Sequence, residues 1–547
     1  MNSKKLRLGI LVDSYLMPAW IYCSIERVFN SNHVELSLII FNENKSLLYE
    51  NRKNLKKGRS IVYRVFNEID ERIFIKGKNA LESINAEKLL SGVPAIKVKP
   101  IKKGNANFIE AAKIDEIREY GLDILLKIGF DTLSGEILTA AKYGVWAYHF
   151  EGDPLGFWEV IQAQPETKSD LRILNEEVNG DRIIYSSSSF TYPFSPARNR
   201  NCSLWLSSSF LPRKIDQLYL LGENILFEET KNYHKEPVPR VKKGSDSSPS
   251  NFLSLWLIVR LSIRIVREMF FRVFYLDSWF LMFYLGSNES IPFKELKKIV
   301  PPKDRFWADP HITRINGTYY IFIEEFLRGK NKGVISVMEM DELGNWKPPV
   351  KVLEKEYHLS YPFIFEWNDK FYMVPESRAN KTIDLYECDE FPYKWSFKQC
   401  LMENVSAVDT TLAYYSNKWW LFTAMSENEA AAPNVELFLF YTDDLFRGEW
   451  KEYPRNPIIS DVKSARPAGS LFIKEGKLFR PSQDCSKMYG FGFDLNEIEV
   501  LSETEYCERK TLSVRPNWDK KILATHTFAK CGKLTVIDGF TRILKFG

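Results

Sequence analysis

Charge of one sign is what this chain lacks first. Its 547 residues carry 75 Lys and Arg against 71 Asp and Glu, a formal balance of +4. A protein built to hold nucleic acid or another polyanion shows a basic excess, so no nucleic-acid partner is expected. Paired cysteine is missing too. The seven cysteines (Cys23, Cys202, Cys388, Cys400, Cys485, Cys507 and Cys531) are scattered, with no CxxC among them. That excludes a disulfide scaffold or a zinc site, predicts no metal site, and fits a reducing, cytoplasmic setting. The start, MNSKKLRLGILVDS, is basic but lacks a long apolar core with a small-residue cleavage site. It reads as a first strand rather than a signal peptide. Long apolar runs are absent as well. The nearest approach is residues 251–286, where Arg260, Arg264, Arg267 and Arg272 interrupt the stretch. No window of about 20 mostly apolar residues survives there. Arg260, Arg264 and Arg267 share one helix face, with Leu, Ile, Val and Phe on the others. Two readings stand: a packing helix between domains, or a basic amphipathic helix on an anionic membrane. The second would put 251–272 in peripheral contact with the inner membrane face.

Aromatic residues are what is there. They make up 14% of the chain, as 14 Trp, 26 Tyr and 38 Phe. So many rings either pack β-strands or offer faces to a ligand, for which sugars are suited. The first half alternates strand and helix signals, with strands at 8–14, 33–41, 93–101, 122–130 and 144–150. Helical patterns fall at 18–29, 114–120 and 133–143, and a polar loop at 42–60. Apolar strands separated by helices predict an α/β domain with a mainly parallel sheet, whose ligands sit beyond the carboxyl ends of strands. This domain is assigned to residues 1–235. A Pro/Ser/Lys-rich linker and the Arg-bearing helix follow over 236–275.

From residue 276 helical periodicity disappears and a repeat takes over. A turn residue, usually with a Lys, opens the strands GTYYIFIEE, DKFYMVPES, NKWWLFTAM, GKLFRPSQD and GKLTVIDGF. A strand precedes each, starting at 309, 361, 409, 469 and 526, so the spacings are 52, 48, 60 and 57 residues. Five units of about four strands predict an all-β five-bladed propeller over 276–547. The fifth unit runs out before its blade is complete, and SWFLMFYLG (278–286) is predicted to supply the missing outer strand and close the ring.

The segment GVWAYHFEGDPLGFWEV, with LDILLKIGFDTLSGEILTAAKYG before it, resembles the formyltransferase fold of methionyl-tRNA and sugar-nucleotide N-formyltransferases. The resemblance covers roughly residues 6–195. It implies an Asn-x-His pair after this strand, a later Asp-x-Gly, and 10-formyltetrahydrofolate as donor. His and Asp handle protons on the amine while Asn stabilises the oxyanion. His149 stands at the His position, Ala147 at the Asn position and Val178 at the Asp position, with Gly180 kept. His149 is thus the catalytic candidate, a base for a sugar amine or a relic of the fold. Glu151, Asp153 and Glu159 are the nearby carboxylates.

In the propeller, FWADPHI places Asp309 at the first blade's start. Residues at equivalent starts converge on the central funnel; Asp309, Ser360, Asp409 and Arg466 sit at or just before them. The pattern resembles arabinanase-, levansucrase- and invertase-like glycoside hydrolases. That resemblance implies a first Asp as base or nucleophile, a second Asp holding orientation and a Glu as acid, because two carboxyls must flank the glycosidic bond in opposite protonation states. Asp309 and Asp409 match the first two roles. Arg466 replaces the expected Glu, leaving Glu376 as the best acid and Glu324 and Glu325 as weaker ones. Trp307 is the sugar-stacking candidate, and His358, Arg378, Arg466, Arg480, Gln483 and Asp484 the candidate polar lining. WADPHI, HLSYPFIF, VPES, DTT, ARPAG and RPSQDCS together are closer to the N-terminal propeller of glucosamine inositolphosphorylceramide transferases. That family's transfer chemistry belongs to another domain, so this resemblance implies glycan or glycolipid association.

The sequence therefore predicts a protein of surface-glycan or glycolipid biosynthesis. It would join a formyltransferase-like acyl-transfer or nucleotide-sugar-binding domain to a carbohydrate-binding propeller. The alternatives are a non-catalytic glycan-binding scaffold and a glycoside hydrolase or transglycosidase.

Overall fold

The computed structural model describes residues 4–44, 60–104, 106–152, 154–177, 180–224, 250–286, 292–428 and 430–546. Asp153, Val178, the linker at 236–249 and most of the predicted 42–60 loop lie outside them. The chain forms two compact units, Met1–Arg264 and Ile265–Gly547.

Unit 1 is built on a seven-stranded sheet. Its strands are β1 (Leu6–Val12), β2 (Val34–Asn42), β3 (Ala95–Val98), β4 (Ile124–Lys127), β5 (Val145–Phe150), β6 (Glu166–Ile173) and β7 (Arg182–Phe190), in the order β7-β6-β5-β4-β1-β2-β3. Pairing is parallel from β3 through β5. It turns antiparallel at β6 and β7. The sheet is therefore mixed but mainly parallel. Leu8, Ile10, Leu38, Ile39, Ile124 and Leu125 are fully buried, as strands covered on both faces require. Helices α1 (Ala19–Phe29), α2 (Ile61–Phe74), α3 (Ala111–Glu119), α4 (Phe157–Gln162), α5 (Pro196–Ser207) and α6 (Phe210–Leu221) complete the unit. The predicted 133–143 helix is only a 3-10 turn at Glu136–Thr139. Gly135, at φ 87°, precedes it in a conformation that does not lead into an α-helix. Sequence reasoning missed α2, which Ser60 caps by accepting a hydrogen bond from the Tyr63 N–H.

Helix α7 (Asn251–Phe274) spans the predicted Arg-bearing segment. Unit 2 is five blades. The first is β10 (Arg305–Ile315), β11 (Thr318–Leu327), β12 (Lys332–Met340) and β13 (Val350–Leu353), numbered after β8 (Tyr275–Leu285) and β9 (Lys297–Ile299). The second is β14 (Ser360–Trp367), β15 (Lys370–Ser377), β16 (Thr382–Glu390) and β17 (Lys394–Glu403). The third is β18 (Ala407–Tyr415), β19 (Lys418–Met425), β20 (Glu436–Thr442) and β21 (Lys451–Glu452), with β22 (Ile459–Ser460) also on β20. The fourth is β23 (Phe472–Lys474), β24 (Lys477–Asp484), β25 (Gly492–Leu501) and β26 (Tyr506–Val514). The last runs β27 (Phe528–Cys531), β28 (Leu534–Leu544), β8, β9. Closure thus works as predicted, with one correction. Residues 275–285 form the third strand of this blade, paired to β28 from Tyr275↔Leu544 to Leu285↔Leu534, and Lys297–Ile299 is the outer one. An 11-residue apolar strand satisfies both its edges only in an interior place.

Candidate functional site

The first strands of three blades share one irregularity. Asp309, Tyr361 and Asp409 are left-handed, at φ 51°, 42° and 52°. Each sits at a register break, between Ala308 and His311, Ser360 and Phe363, and Val408 and Thr411. A bulge re-aims a side chain out of the strand's alternation. The second blade's equivalent of the two aspartates is therefore Tyr361, one residue past the predicted Ser360.

Each aspartate is buried and fully engaged. Asp409 receives the Arg466 guanidinium in a fork, Nε to Oδ2 at 2.6 Å and Nη2 to Oδ1 at 3.0 Å. The Gln483 amide adds a third bond to Oδ2 at 2.7 Å. Arg466 also lies 3.4 Å from Glu376 Oε2 and 4.9 Å from the Tyr489 ring centre. Asp309 Oδ1 takes the Thr527 hydroxyl at 3.0 Å and His526 Nε2 at 3.0 Å, and Oδ2 takes the Tyr361 N–H. His526 Nδ1 lies 2.8 Å from Asp538 Oδ2, so the imidazole stands between two carboxylates. Burial alone would lower its pKa, but the charges of Asp538 and Asp309 raise it well above the ordinary 6.5. Burial alone would likewise raise Asp309, but the charge and hydrogen bond of His526, with help from Arg466 and Thr527, hold it at about 2.

Glu324 and Glu376 occupy equivalent places in the second strands, opposite Ala308 and Ser360. Burial, then the charges of Asp309 and Glu376, push Glu324 well above the usual carboxylate range. Burial, then the charge of Asp409, do the same for Glu376. The funnel thus combines carboxylates paired with a cation and carboxyls whose pKa burial raises. Strand alternation separates the FIEEF pair. Glu325 turns to Trp307 Nε1, Arg305 and Ser336 in the blade interior.

Several predicted residues lie elsewhere. Trp307 is 4% exposed and packs among Tyr319, Ile321 and Met338, so its faces are closed to sugar. Arg480 is buried against Glu508 and the Ser464 carbonyl. Asp484 pairs with Arg515 at 2.6 Å. Gln483 is their neighbour on the opposite face of β24, which is why it alone of the three reaches Asp409. Arg466 is spent inside the funnel and leaves no open fork for a phosphate. His358 accepts from the Gly333 N–H and lies 3.4 Å from Glu324 Oε1, at the funnel's edge. Arg378 is exposed and donates to Ser406 Oγ. Sequence reasoning missed Tyr361, His526, Asp538 and Tyr489. An Asp inside the apolar VIDGF strand was the available signal for Asp538. Tyr489, with 44% of its surface exposed beside Arg466 and His526, replaces Trp307 as the ring open to a ligand.

In unit 1, His149 lies exposed on β5 opposite Asp170 of β6. Loss of hydration and the Arg172 charge lower its pKa. Asp170 is held by Arg172 at 2.6 Å and the Ser186 hydroxyl at 2.8 Å. Burial raises the pKa of Glu151 and takes Glu159 to about 7. Ala147 is a buried methyl where an oxyanion donor is required, so these residues do not fit transfer from 10-formyltetrahydrofolate. Among the described residues the one group spaced to share a cation is Asp309, His526 and Asp538, although no metal site was predicted. The imidazole itself neutralises the two carboxylates there.

Residues 295–527 match the family described as "Glucosamine inositolphosphorylceramide transferase 1, N-terminal". Glucosamine inositolphosphorylceramide transferase 1 of Oryza sativa subsp. japonica is 36% identical over 206 residues, covering 37% of this chain and 27% of the relative. Its counterpart in Arabidopsis thaliana is 32% identical over the same share. The chain thus spans about a quarter of the length of these relatives. Among solved structures, an exo-1,5-alpha-L-arabinanase from a bovine ruminal metagenomic library aligns at TM-score 0.31 and 16% identity, covering 44% of this chain and 98% of that one. The catalytic domain of the Coprinopsis cinerea GH62 alpha-L-arabinofuranosidase aligns at TM-score 0.34 and 11% identity, covering 50% and 98%. The predicted likeness of the propeller to the transferases' N-terminal region is thereby met at the level of sequence.

Proposed function

We propose that the funnel of unit 2 recognises the sugar headgroup of a glycan or glycolipid in its biosynthesis. The carrying observation is the cluster of buried carboxyls, two paired with cations and two with raised pKa. Asp309 and Asp409 are held by His526 and Arg466, while burial raises the pKa of Glu324 and Glu376 and favours carboxyls that can donate as well as accept. A sugar hydroxyl both donates and accepts, so a rigid set of both kinds matches it. Tyr489 adds an aromatic face. The similarity to transferases named for glucosamine inositolphosphorylceramide points to headgroups bearing hexosamine or inositol. Calorimetric titration with a panel of such oligosaccharides tests this. Glu376→Ala and Tyr489→Ala are each expected to weaken binding about tenfold or more, the exposed Tyr489→Ala at unchanged melting temperature. Absence of binding to every member of the panel sinks the proposal.

A hydrolase or transglycosidase reading draws on the split between Asp309, whose pKa is lowered, and Glu376, whose pKa is raised. It predicts product release that Asp309→Asn abolishes. Against it, both oxygens of Asp309 are already occupied. For unit 1 the acyl-transfer or nucleotide-sugar reading rests on His149, an imidazole of lowered pKa suited to take a proton from an amine. His149→Ala should abolish any transfer, and an unchanged rate excludes it.

A further inference from the structure

We propose that α7, together with α2, docks the protein in the plane of an anionic phospholipid surface. Helix α7 is 24 residues, about 36 Å long. Only Ser254, Leu257 and Leu261 on it are buried. Arg264 fastens this inner face by donating to the carbonyls of Val160 and Pro193, both at 2.8 Å. The opposite face holds ten exposed large apolar residues: Phe252, Leu255, Trp256, Val259, Ile263, Val266, Met269, Phe270, Val273 and Phe274. At 100° per residue these form one stripe, and Arg260 and Arg267 line its flank.

Helix α2 repeats the pattern. Ile61, Val65, Ile69 and Ile73, four residues apart, are each more than half exposed. Its start is tied to that of α7, with Ser60 Oγ 3.1 Å from Ser254 Oγ and the Val62 N–H donating to Asn251 Oδ1. Single exposed apolar side chains are ordinary, but two such stripes on joined helices need an occupant.

Charge selects the occupant. The one acidic residue on α7, Glu268, is taken by Arg542 and Arg272. The α7 stripe is therefore apolar with a cationic margin, while exposed Glu68 and Arg72 stand beside the α2 stripe; the longer α7 stripe suits acyl chains below anionic headgroups. An antiparallel two-fold contact with a second copy would set this cationic margin against its own kind. No helix among the described residues is long and apolar enough to cross a membrane, so α7 lies in the interface rather than spanning it.

Co-sedimentation of the full chain with vesicles tests this. Vesicles of phosphatidylcholine with about 30% phosphatidylglycerol should bind, and pure phosphatidylcholine much less. Arg260→Gln with Arg267→Gln should weaken binding about 30-fold. Ile263→Ser with Val266→Ser should weaken it about tenfold or more. All four positions are exposed, so melting temperatures should stay unchanged. Failure to bind anionic vesicles overturns the proposal, as does binding indifferent to both double variants. A dimer that buries the stripe, seen by light scattering and broken by Ile263→Asp, overturns it as well.

Discussion

At the scale of the residue, Glu159 shows what burial without a partner does. It is 3% exposed, and neither carboxyl oxygen has a hydrogen-bond partner on another residue. Burial lifts its pKa from 4.5 to about 7, a shift worth about 3 kcal/mol. A raised carboxyl binds its proton more tightly when folded. Its contribution is intact below about pH 4.5 and is lost as the pH climbs through about 7. Glu159→Met should therefore stabilise unit 1 at pH 8 and hardly at pH 5, which melting curves at the two pH values will report. His526 behaves differently, because its raised pKa comes from partners. The stability it supplies is complete below 6.5 and lost only when the pH rises through its much higher folded value. His526→Phe leaves Asp309 and Asp538 facing each other and should cost about 3–5 kcal/mol in urea unfolding. Asp309 and Asp409 were legible in the sequence because they repeat at one blade position. Tyr361 was not, because its neighbour Ser360 is the polar residue and only the bulge decides which side chain turns inward.

At the scale of the element, legibility followed periodicity. Blade starts repeat every 50 residues or so, and all five blades form. The 133–143 pattern has helical spacing yet makes one 3-10 turn, since left-handed Gly135 breaks the backbone at its start. Arg480 and Asp484 were expected in the funnel with Gln483, whereas alternation along β24 sends them the other way. The seam between β8 and β28 is the element on which ring closure rests. Leu281 sits at its middle, fully buried and opposite Asp538. Leu281→Pro removes a ladder donor from an interior strand and should cost about 3 kcal/mol or more, read as an earlier midpoint in urea.

At the scale of the whole molecule, two compact units imply that unfolding need not be a single transition. Scanning calorimetry should separate them. Glu159→Met is expected to move one transition and His526→Phe the other, and a common shift in both would show that the units melt together. The seam carries a further consequence. Because Tyr275 faces Leu544 across it, the first and last strands of the propeller end as neighbours about 5 Å apart. Unit 2 is thus a ring whose opening is a matter of gene order. A circular permutant that joins these ends by a short linker and begins instead at Leu343, 80% exposed in the turn after β12, should fold to the same five blades.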